Sequence, residues 1–331
     1  MKKRLCFIIP YFGKLPNYFP LFLKSCKANP NFNWVVFTDD DENYGYPDNV
    51  LRVKMTFSEC QALIRSKFKC NVALEKPYKL CDLKPMYGYI FEEYLNDYHF
   101  WGHCDVDTIM GNLGNWLSDE FLEQYDKLFC LGHMTIYRNS YANNRVFRHQ
   151  LSGKISYKEV LANEKIMWFD EEWNNDYNIN RLFLDAGKKV FKEDLSLNIS
   201  YSYNCFVRGK FVGRDSTTMP FGFEIEHPKK AIYVWSQGNL YRVYKENGEL
   251  KKEHFLYMHL QNRPMKMNFS LLSADRFEII PDEFIAYRKK NLTTDNIDRL
   301  CVCKSWLVQK LFCKRLFHRI KSITCVKWKG N

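Results

Sequence analysis

Short apolar runs alternate with amphipathic segments along the first 140 residues of the chain. Apolar runs of this length predict buried strands, whereas the segments between them repeat their apolar positions with the period of a helix. The predicted strands are 5–10, 32–41, 49–55, 98–107 and 127–137, and the predicted helices are 16–29 and 75–97. This alternation predicts an α/β fold with a mostly parallel sheet and helices on both of its faces.

Distinctive side chains stand at the ends of three of these predicted strands. Pro10 and Tyr11 stand at the end of the first strand, Asp39 and Asp40 end the second, and Asp105 and Asp107 end the fourth. Ligands of open α/β sheets bind outside the carboxyl ends of the strands. We therefore expect these residues to share one site, in which Tyr11 and Asp39 contact a nucleoside.

The pattern of the chain changes after about residue 140. Residues 140–265 are irregular and rich in Asn, Tyr and Phe, which is typical of a substrate-binding half, and residues 271–300 have a polar, helical pattern. The sequence therefore predicts a main domain followed by a helical C-terminal region. The predicted bounds are 1–270 for the domain, with halves 1–138 and 139–270, and 271–331 for the C-terminal region.

The composition of the 331 residues is ordinary for a globular protein, with 46% hydrophobic and 26% charged residues. The net charge is +11, but its distribution is uneven. Residues 301–331 contain eight basic residues and no acidic one, which leaves a charge of +3 for residues 1–300. A nearly neutral body argues against a nucleic-acid groove across the protein.

The basic excess lies in a predicted amphipathic helix, residues 304–328. Trp306, Phe312 and Leu316 belong to an apolar arc, and basic residues fill most of the opposite arc. This pattern is typical of a helix on an anionic membrane surface, where each basic residue adds about 1 kcal/mol of binding free energy. A helix docked on the body and an RNA-binding tail are the alternatives. We expect the inner face of the cell membrane, and no nucleic acid, as the partner of this segment.

Two further features bear on the location of the protein. Its twelve cysteines include no Cys-x-x-Cys pair, and several lie in apolar runs, as buried free thiols do in a reducing compartment. The chain starts with only five apolar residues before Pro10, which is too short for a signal peptide, and it contains no apolar run of about 18 residues. We therefore expect a cytoplasmic protein that is peripheral on the membrane.

Asp105-Val106-Asp107 is the candidate metal motif. Carboxylates two residues apart on an extended segment point the same way and together hold one hard divalent cation. The chain contains a second Asp-x-Asp pair, Asp39 and Asp41. The first pair ends an aromatic, apolar strand, which favours a metal site over the alternative of an acidic cap between strand and turn.

The stretch YKLCDLKPMYGYIFEEYLNDYHFWGHCDVD, residues 78–107, joins this motif to a helical segment that contains Asp82. It resembles the helix-then-Asp-x-Asp signature of GT-A glycosyltransferases, distantly the families of glycogenin, the yeast initiating mannosyltransferase and the clostridial glucosylating toxins. The N-terminal two thirds is also similar to an uncharacterised bacterial family of capsule and exopolysaccharide gene clusters. The resemblance implies a GT-A fold, which has a Rossmann-like nucleotide-binding sheet, and a nucleoside diphosphate sugar as donor.

In the enzymes of this resemblance, the helical aspartate contacts the ribose of the nucleotide, and the Asp-x-Asp pair binds ribose and metal. These roles are thereby implied for Asp82, Asp105 and Asp107. Several of the families place an arginine three residues after the helical aspartate, where this chain has Pro85. Lys84 is the candidate substitute that contacts the donor phosphates, and a solvated helix face is the alternative for this lysine.

The segment HFLYMHLQNRPMK, residues 254–266, supplies further candidates. GT-A enzymes commonly provide a histidine near the end of the domain as a metal ligand, which implies this role for His259. A core histidine is the alternative, and His254 is the substitute ligand. An imidazole beside two carboxylates favours Mn²⁺ over Mg²⁺. Arg263 and Lys266 are expected to neutralise the leaving diphosphate.

A last acidic group lies in WFDEEWNNDYNINRLF, residues 168–183, where the pattern predicts a loop that leads into a helix. The resemblance implies a carboxylate here that touches the acceptor or acts as a base. Asp170 and Glu171 are the first candidates for catalytic residues, followed by Glu172 and Asp176. Acidic residues that favour a helix N-terminus are the alternative.

Together these features predict a metal-dependent hexosyltransferase of bacterial polysaccharide biosynthesis. Its expected donor is a UDP-sugar, and its expected acceptor is a glycan, with a lipid-linked repeat unit as the favoured case. Two alternatives stay open. A metal-dependent nucleotidyl- or phosphotransferase also uses paired carboxylates, although the chain lacks a glycine-rich P-loop. A non-catalytic, membrane-associated protein with a degenerate GT-A domain is the other alternative.

Overall fold

The computed structural model describes residues 3–172, 177–199, 204–212, 223–288, 291–302, 304–310 and 312–313. The strands among these residues are β1 (Lys3–Pro10), β2 (Phe32–Thr38), β3 (Val50–Lys54), β4 (Tyr98–Cys104), β5 (Thr108–Met110), β6 (Lys127–Leu128), β7 (Met134–Arg138), β8 (Val190–Phe191), β9 (Ser196–Asn198), β10 (Gly209–Phe211), β11 (Phe223–Ile225), β12 (Ala231–Ser236), β13 (Asn239–Glu246), β14 (Glu249–Phe255), β15 (Tyr257–His259), β16 (Arg276–Ile280) and β17 (Glu283–Ala286).

The α-helices are α1 (Phe19–Lys27), α2 (Phe57–Lys67), α3 (Tyr87–Ile90), α4 (Asp119–Leu122), α5 (Tyr157–Ala162), α6 (Ile179–Asp185) and α7 (Ile297–Leu300). Segments of 3-10 helix are Pro77–Met86, Glu92–Tyr94, Leu113–Asn115, Asn143–Arg148 and Phe269–Leu272. The predicted helix 16–29 is confirmed as α1, whereas the predicted helix 75–97 consists mainly of two 3-10 segments around α3.

The largest sheet has seven strands in the order β3-β2-β1-β4-β7-β6-β8. Strands β1 to β4 are parallel, and β7 is antiparallel to both of its neighbours, β4 and β6. The order β3-β2-β1-β4 is that of a nucleotide-binding half of the Rossmann type. The single strand predicted over 127–137 is two strands, because the chain reverses between them at Phe129, whose φ is +68°.

Alternate residues of β1 face two separate cores. Cys6 and Ile8 pack with α2, α3, α5 and α6, whereas Leu5, Phe7 and Ile9 pack with α1 on the opposite face. A strand that is buried on both faces requires an uninterrupted apolar run, which LCFII provides. The predicted α/β fold, with a mostly parallel sheet and helices on both faces, is confirmed.

A five-stranded antiparallel sheet, β14-β13-β12-β16-β17, packs on the other side of α1. The helical prediction for 271–300 was wrong over β16 and β17. Alternation decides this segment, since Phe277 and Ile279 are fully buried and Phe277 stacks on Trp235 at 5.2 Å between ring centroids. The one residue between them, Glu278, is also buried and accepts from Arg288 Nη2 at 2.8 Å.

A three-stranded sheet, β5-β15-β9, connects the two larger ones. Its central strand β15 is antiparallel to β5 and parallel to β9, so that His259 lies between Thr108 and Asn198 in register. This small sheet brings a residue of the last third of the chain to the Asp105-Val106-Asp107 motif.

The C-terminal segment is described only at its start. Residues 306–310 are helical, and Ser305 caps them, since the Val308 amide donates to Ser305 Oγ at 3.1 Å. Most of the predicted helix 304–328 lies outside the described residues. Within the described part of the chain, no helix is both long and apolar enough to cross a membrane.

Candidate functional site

A cavity of about 690 Å³ opens at the carboxyl edge of the large sheet, at the ends of β1 and β4. Its volume is within the range of small-molecule sites. Eight of the residues predicted from the sequence line it: Pro10, Tyr11, Lys84, Asp105, Asp107, Asp170, Glu171 and His259. The structure thus brings together residues from four separate segments that the sequence analysis had treated as candidates.

Asp105, Asp107 and His259 form the one group of potential metal ligands among the described residues, with one ligand atom of each within 4.8 Å of the others. His259 Nε2 lies 3.5 Å from Asp107 Oδ2 and 3.9 Å from Asp105 Oδ2. The segment after β15 fixes Asp107 as well, because the Leu260 amide donates to its carbonyl at 2.8 Å and the Asn262 amide donates to its Oδ2.

Hydrogen bonds behind His259 set its tautomer. Its Nδ1–H donates to Asn198 Oδ1 at 2.8 Å, and Asn198 is held in turn by Ser196 Oγ at 3.0 Å, which donates to Asp194 Oδ1 at 2.6 Å. When His259 is neutral, its proton is on Nδ1 and its Nε2 lone pair faces the two carboxylates, as in metal-binding histidines that are supported from behind. Two carboxylate oxygens and one oriented imidazole nitrogen therefore fit a divalent cation.

The charges of the triad influence one another. Burial raises the pKa of Asp105, and the Asp107 carboxylate adds to this effect. Burial would also raise the pKa of Asp107, but the His259 imidazolium lowers it below its usual range. Burial opposes protonation of His259, yet the carboxylates raise the pKa of this histidine above its ordinary value. Such opposed shifts are typical of acidic sites that attract a cation.

Lys84 bridges the triad and a second acidic pair. Its Nζ lies 2.7 Å from Asp105 Oδ1 and 3.5 Å from Asp170 Oδ2, and it donates to the Gly132 carbonyl at 2.9 Å. Burial works against the ammonium, but the Asp105 carboxylate raises the pKa of Lys84 well above its usual value. Lys84 is thus a buried cation that lines the cavity and not part of a solvated helix face.

Asp170 and Glu171 form the opposite wall of the cavity. Burial raises the pKa of Asp170 to about 8, even though Lys84 opposes the shift. Burial also raises the pKa of Glu171. Gly132 is required here, because a Cβ at this position would collide with Asp170 Oδ2. The helix after this segment begins at Ile179 with Asn178 as its cap, so the alternative of acids in the first turn of a helix does not apply to Asp170 and Glu171.

Asp82 occupies a different position from the predicted one. It is fully buried and is not among the described residues that line the cavity. Its Oδ2 accepts from Lys79 Nζ at 2.7 Å and from the Met167 amide at 2.8 Å, and its Oδ1 accepts from the Phe169 amide at 3.1 Å. The ribose contact implied by the resemblance is not available to this side chain, because both oxygens hold the loop that precedes Asp170.

Four more predicted residues that the structure describes, Arg263, Lys266, Asp39 and Glu172, lie outside the lining of the cavity. Arg263 is buried, and its Nη1 donates to Asp282 Oδ1 at 2.9 Å and to Ser305 Oγ at 3.0 Å. Lys266 is exposed, and the exposed Asp39 accepts from the Gly13 amide at 2.7 Å. Asp176 is outside the described residues, and Glu172 pairs with Arg181 at 2.9 Å.

Sequence reasoning missed several residues of the site, among them three that line the cavity and one that supports a metal-ligand candidate. Tyr78, Trp168 and Gln261 line the cavity, and Asn198 supports His259. Tyr78 and Trp168 are the first residues of the stretches 78–107 and 168–183, so the candidate residues beside them in the sequence could have pointed to them. Asn198 had no such signal, because only the pairing of β9 with β15 reveals it.

Comparison with solved structures shows distant similarity. Thirty-one chains match, among them the galactosyltransferase LgtC in complex with donor and acceptor sugar analogs and an active-site mutant of LgtC. Each of these two structures has 11% sequence identity to this chain and a TM-score of 0.32. The alignment covers 59% of this chain and 76% of the LgtC chain. None of the curated proteins matches the chain by sequence. A family model matches residues 7–288, and the chain therefore belongs to the family of unknown function DUF6625.

Proposed function

We propose that this protein is a metal-dependent glycosyltransferase that moves a hexose from a UDP-sugar to a glycan acceptor. The observation that carries the proposal is the convergence of Asp105, Asp107 and His259 with Lys84 and Asp170 in one cavity at the carboxyl edge of the sheet. Among the described residues that line this cavity, four are carboxylates and one is a lysine, which suits a divalent cation together with a diphosphate.

The residues along the edge of the sheet would have different roles in this reaction. Tyr11, at the end of β1, would face the nucleoside, as ligands of such sheets lie at the strand ends. Lys84 would take the charge of the leaving diphosphate in place of Arg263 and Lys266. A cation held by Asp105, Asp107 and His259, with Mn²⁺ preferred over Mg²⁺, would add positive charge beside that diphosphate.

Asp170 is the proposed base. In a direct displacement, the acceptor hydroxyl oxygen forms the new bond to the anomeric carbon while the bond from that carbon to the diphosphate oxygen breaks. The proton of the hydroxyl then passes to a carboxylate. Asp170 is buried beside Lys84, and its pKa of about 8 makes it a stronger proton acceptor than an ordinary aspartate.

Calorimetry with a panel of nucleotides tests the proposed function. We expect UDP to bind in the presence of Mn²⁺ and to lose its affinity when the metal is removed by EDTA. A preference for nucleoside triphosphates would instead indicate a nucleotidyl- or phosphotransferase. Binding of no nucleotide with or without Mn²⁺ would contradict both enzymes and favour a non-catalytic GT-A domain.

We also propose that the C-terminal segment attaches the enzyme to the inner face of the cell membrane, where a lipid-linked acceptor would be found. At the described start of this segment, Leu307 is buried against the body, whereas Trp306 and Phe312 are 40% and 66% exposed. The apolar arc therefore starts uncovered, as a membrane-binding helix requires.

Deletion of residues 314–331 tests this attachment. The deletion removes six basic residues and keeps Ser305, which is buried with Asp282 and Arg263. Because each basic residue near an anionic surface adds about 1 kcal/mol, we expect co-sedimentation with phosphatidylserine vesicles to fall more than about 100-fold. UDP binding should stay at the full-length level. Unchanged vesicle binding would show that this tail is not the attachment.

A further inference from the structure

We infer that Trp168 and Tyr78 form a carbohydrate-stacking subsite, in which Trp168 takes the apolar face of the acceptor sugar. This inference rests on the proposed function and names the part of the cavity that receives the acceptor. Both aromatic side chains line the cavity, and they are 45% and 68% exposed. Single exposed aromatic residues are common on protein surfaces, so the argument needs more than exposure.

The first step is the way in which the backbone on both sides of Trp168 is held. Asp82 accepts from the amides of Met167 and Phe169, the two neighbours of Trp168, at 2.8 and 3.1 Å. Lys79 neutralises Asp82 and also donates to the Lys165 carbonyl at 2.8 Å. This ion pair is buried, with exposures of 3% for Lys79 and 0% for Asp82. A buried, fully bonded pair of this kind fixes the loop that it binds.

The second step is the direction of the side chains. Ile166, Trp168 and Asp170 line the cavity, whereas Phe169 is fully buried and stacks on Tyr177 at 5.5 Å between ring centroids. Trp168 has a φ of +51°, which is unfavourable for a bulky residue. Backbone strain of this kind persists where the surrounding structure imposes it, and it is concentrated at functional sites. The buried Lys79–Asp82 pair thus holds Trp168, with its strained backbone, in the lining of the cavity.

The third step is the side of the cavity on which Trp168 lies. The strands at the edge follow one another as β1, β4 and β7. Tyr11 follows β1, Asp105 follows β4, and Gly132, which contacts Asp170, precedes β7. Trp168 is two residues from Asp170 and therefore belongs to the β7 side, away from the nucleoside side at Tyr11. The ligand of Trp168 is thereby a sugar and not the nucleobase.

The chemistry of an indole suits this ligand. The face of an aromatic ring carries partial negative charge and attracts the polarised C–H groups on the apolar face of a pyranose, while the contact removes apolar surface from water. Tyr78 stands on the 3-10 helix Pro77–Met86 that also carries Lys84, so its backbone is fixed relative to Lys84. A sugar on Trp168 would have its hydroxyls next to Asp170 and Glu171, where the proposed proton transfer takes place.

Saturation-transfer NMR tests the inference directly. The probes are the methyl pyranosides of glucose, galactose and mannose, with the full-length protein in UDP and excess diamagnetic Mg²⁺ and with irradiation of the aromatic protein resonances. We expect transfer to the C–H protons of at least one probe. The variant Trp168→Ala should weaken the binding of that probe about tenfold, and Trp168→Phe should restore most of it. Trp306→Ala is the matched control, since Trp306 is 40% exposed but is not among the cavity-lining residues.

Each remaining outcome has a defined meaning. Equal transfer in the wild type and Trp168→Ala would overturn the subsite. No transfer from the wild type to any probe, with UDP still bound, would overturn it as well and would leave the proposed glycosyltransferase intact. Loss of UDP binding in the wild type itself would instead contradict the proposed function, so the two failures are distinguishable.

Discussion

Replacement of Asp107 with asparagine is expected to abolish the Mn²⁺-dependent binding of UDP. The asparagine keeps the size of the side chain and an oxygen that accepts from the Asn262 amide, so the turn after His259 is preserved. It removes, however, one of two anionic ligands and leaves His259 with a weaker partner. Because the loss of a residue that merely supports a ligand costs 10- to 100-fold in metal affinity, we expect a loss of more than about 100-fold here. Calorimetry with Mn²⁺ alone, and then with UDP, measures both steps.

The second Asp-x-Asp pair of the chain provides the matched control for this experiment. Asp41 is an exposed carboxylate that pairs with Lys54 at 2.9 Å and is not among the described residues that line the cavity. The variant Asp41→Asn removes the same charge and should leave Mn²⁺ and UDP binding unchanged. If Asp107→Asn retains metal-dependent UDP binding, the triad is not the metal site and the proposed function loses its main support.

The sequence predicted those parts of the site that follow from local rules. An apolar run that ends in carboxylates places them at the carboxyl edge of a sheet, and this rule located Pro10, Tyr11, Asp105 and Asp107 without any knowledge of contacts. The α/β class follows from the same alternation of strands and helices. Asp170 was a candidate through the family resemblance and not through a local rule, and the resemblance did not show that Lys84 lies beside it.

The errors arise where long-range contacts decide the role of a side chain. Asp82 and Arg263 both stand in the expected motifs, but each is buried with partners more than 15 residues away in the chain. Spacing cannot show which charged residues are satisfied inside the protein. Burial makes the difference, because a charge in the interior must find its partners there. Asp82 consequently supports the loop that precedes Asp170 from behind.

The opposite case is Asp170, a buried carboxyl group whose environment disfavours its charge. The unfolded chain releases this proton near pH 4, whereas the folded protein keeps it until about pH 8. Folding is therefore penalised increasingly as the pH rises from about 4 to 8, and the penalty is complete above that range. The asparagine of Asp170→Asn cannot ionise, so the variant does not lose this part of its folding stability as the pH rises. We expect the variant to have a higher melting temperature than the wild type, with a larger difference at pH 9 than at pH 5, as measured by differential scanning calorimetry.

The same substitution should remove most of the catalysis. A base that accepts the acceptor proton contributes about 10²- to 10⁴-fold to the rate, so UDP release from the UDP-sugar in the presence of acceptor should fall by this factor. The wild-type rate should increase as the pH rises through about 8, and the residual rate of the variant should lack this limb. Glu171→Gln is the control that distinguishes the roles of the two neighbouring carboxyl groups. Its rate should still increase as the pH rises through about 8. Full activity in Asp170→Asn would show that another residue is the base. A variant that is more stable but inactive would show that the buried carboxyl beside Lys84 lowers stability and is needed for activity.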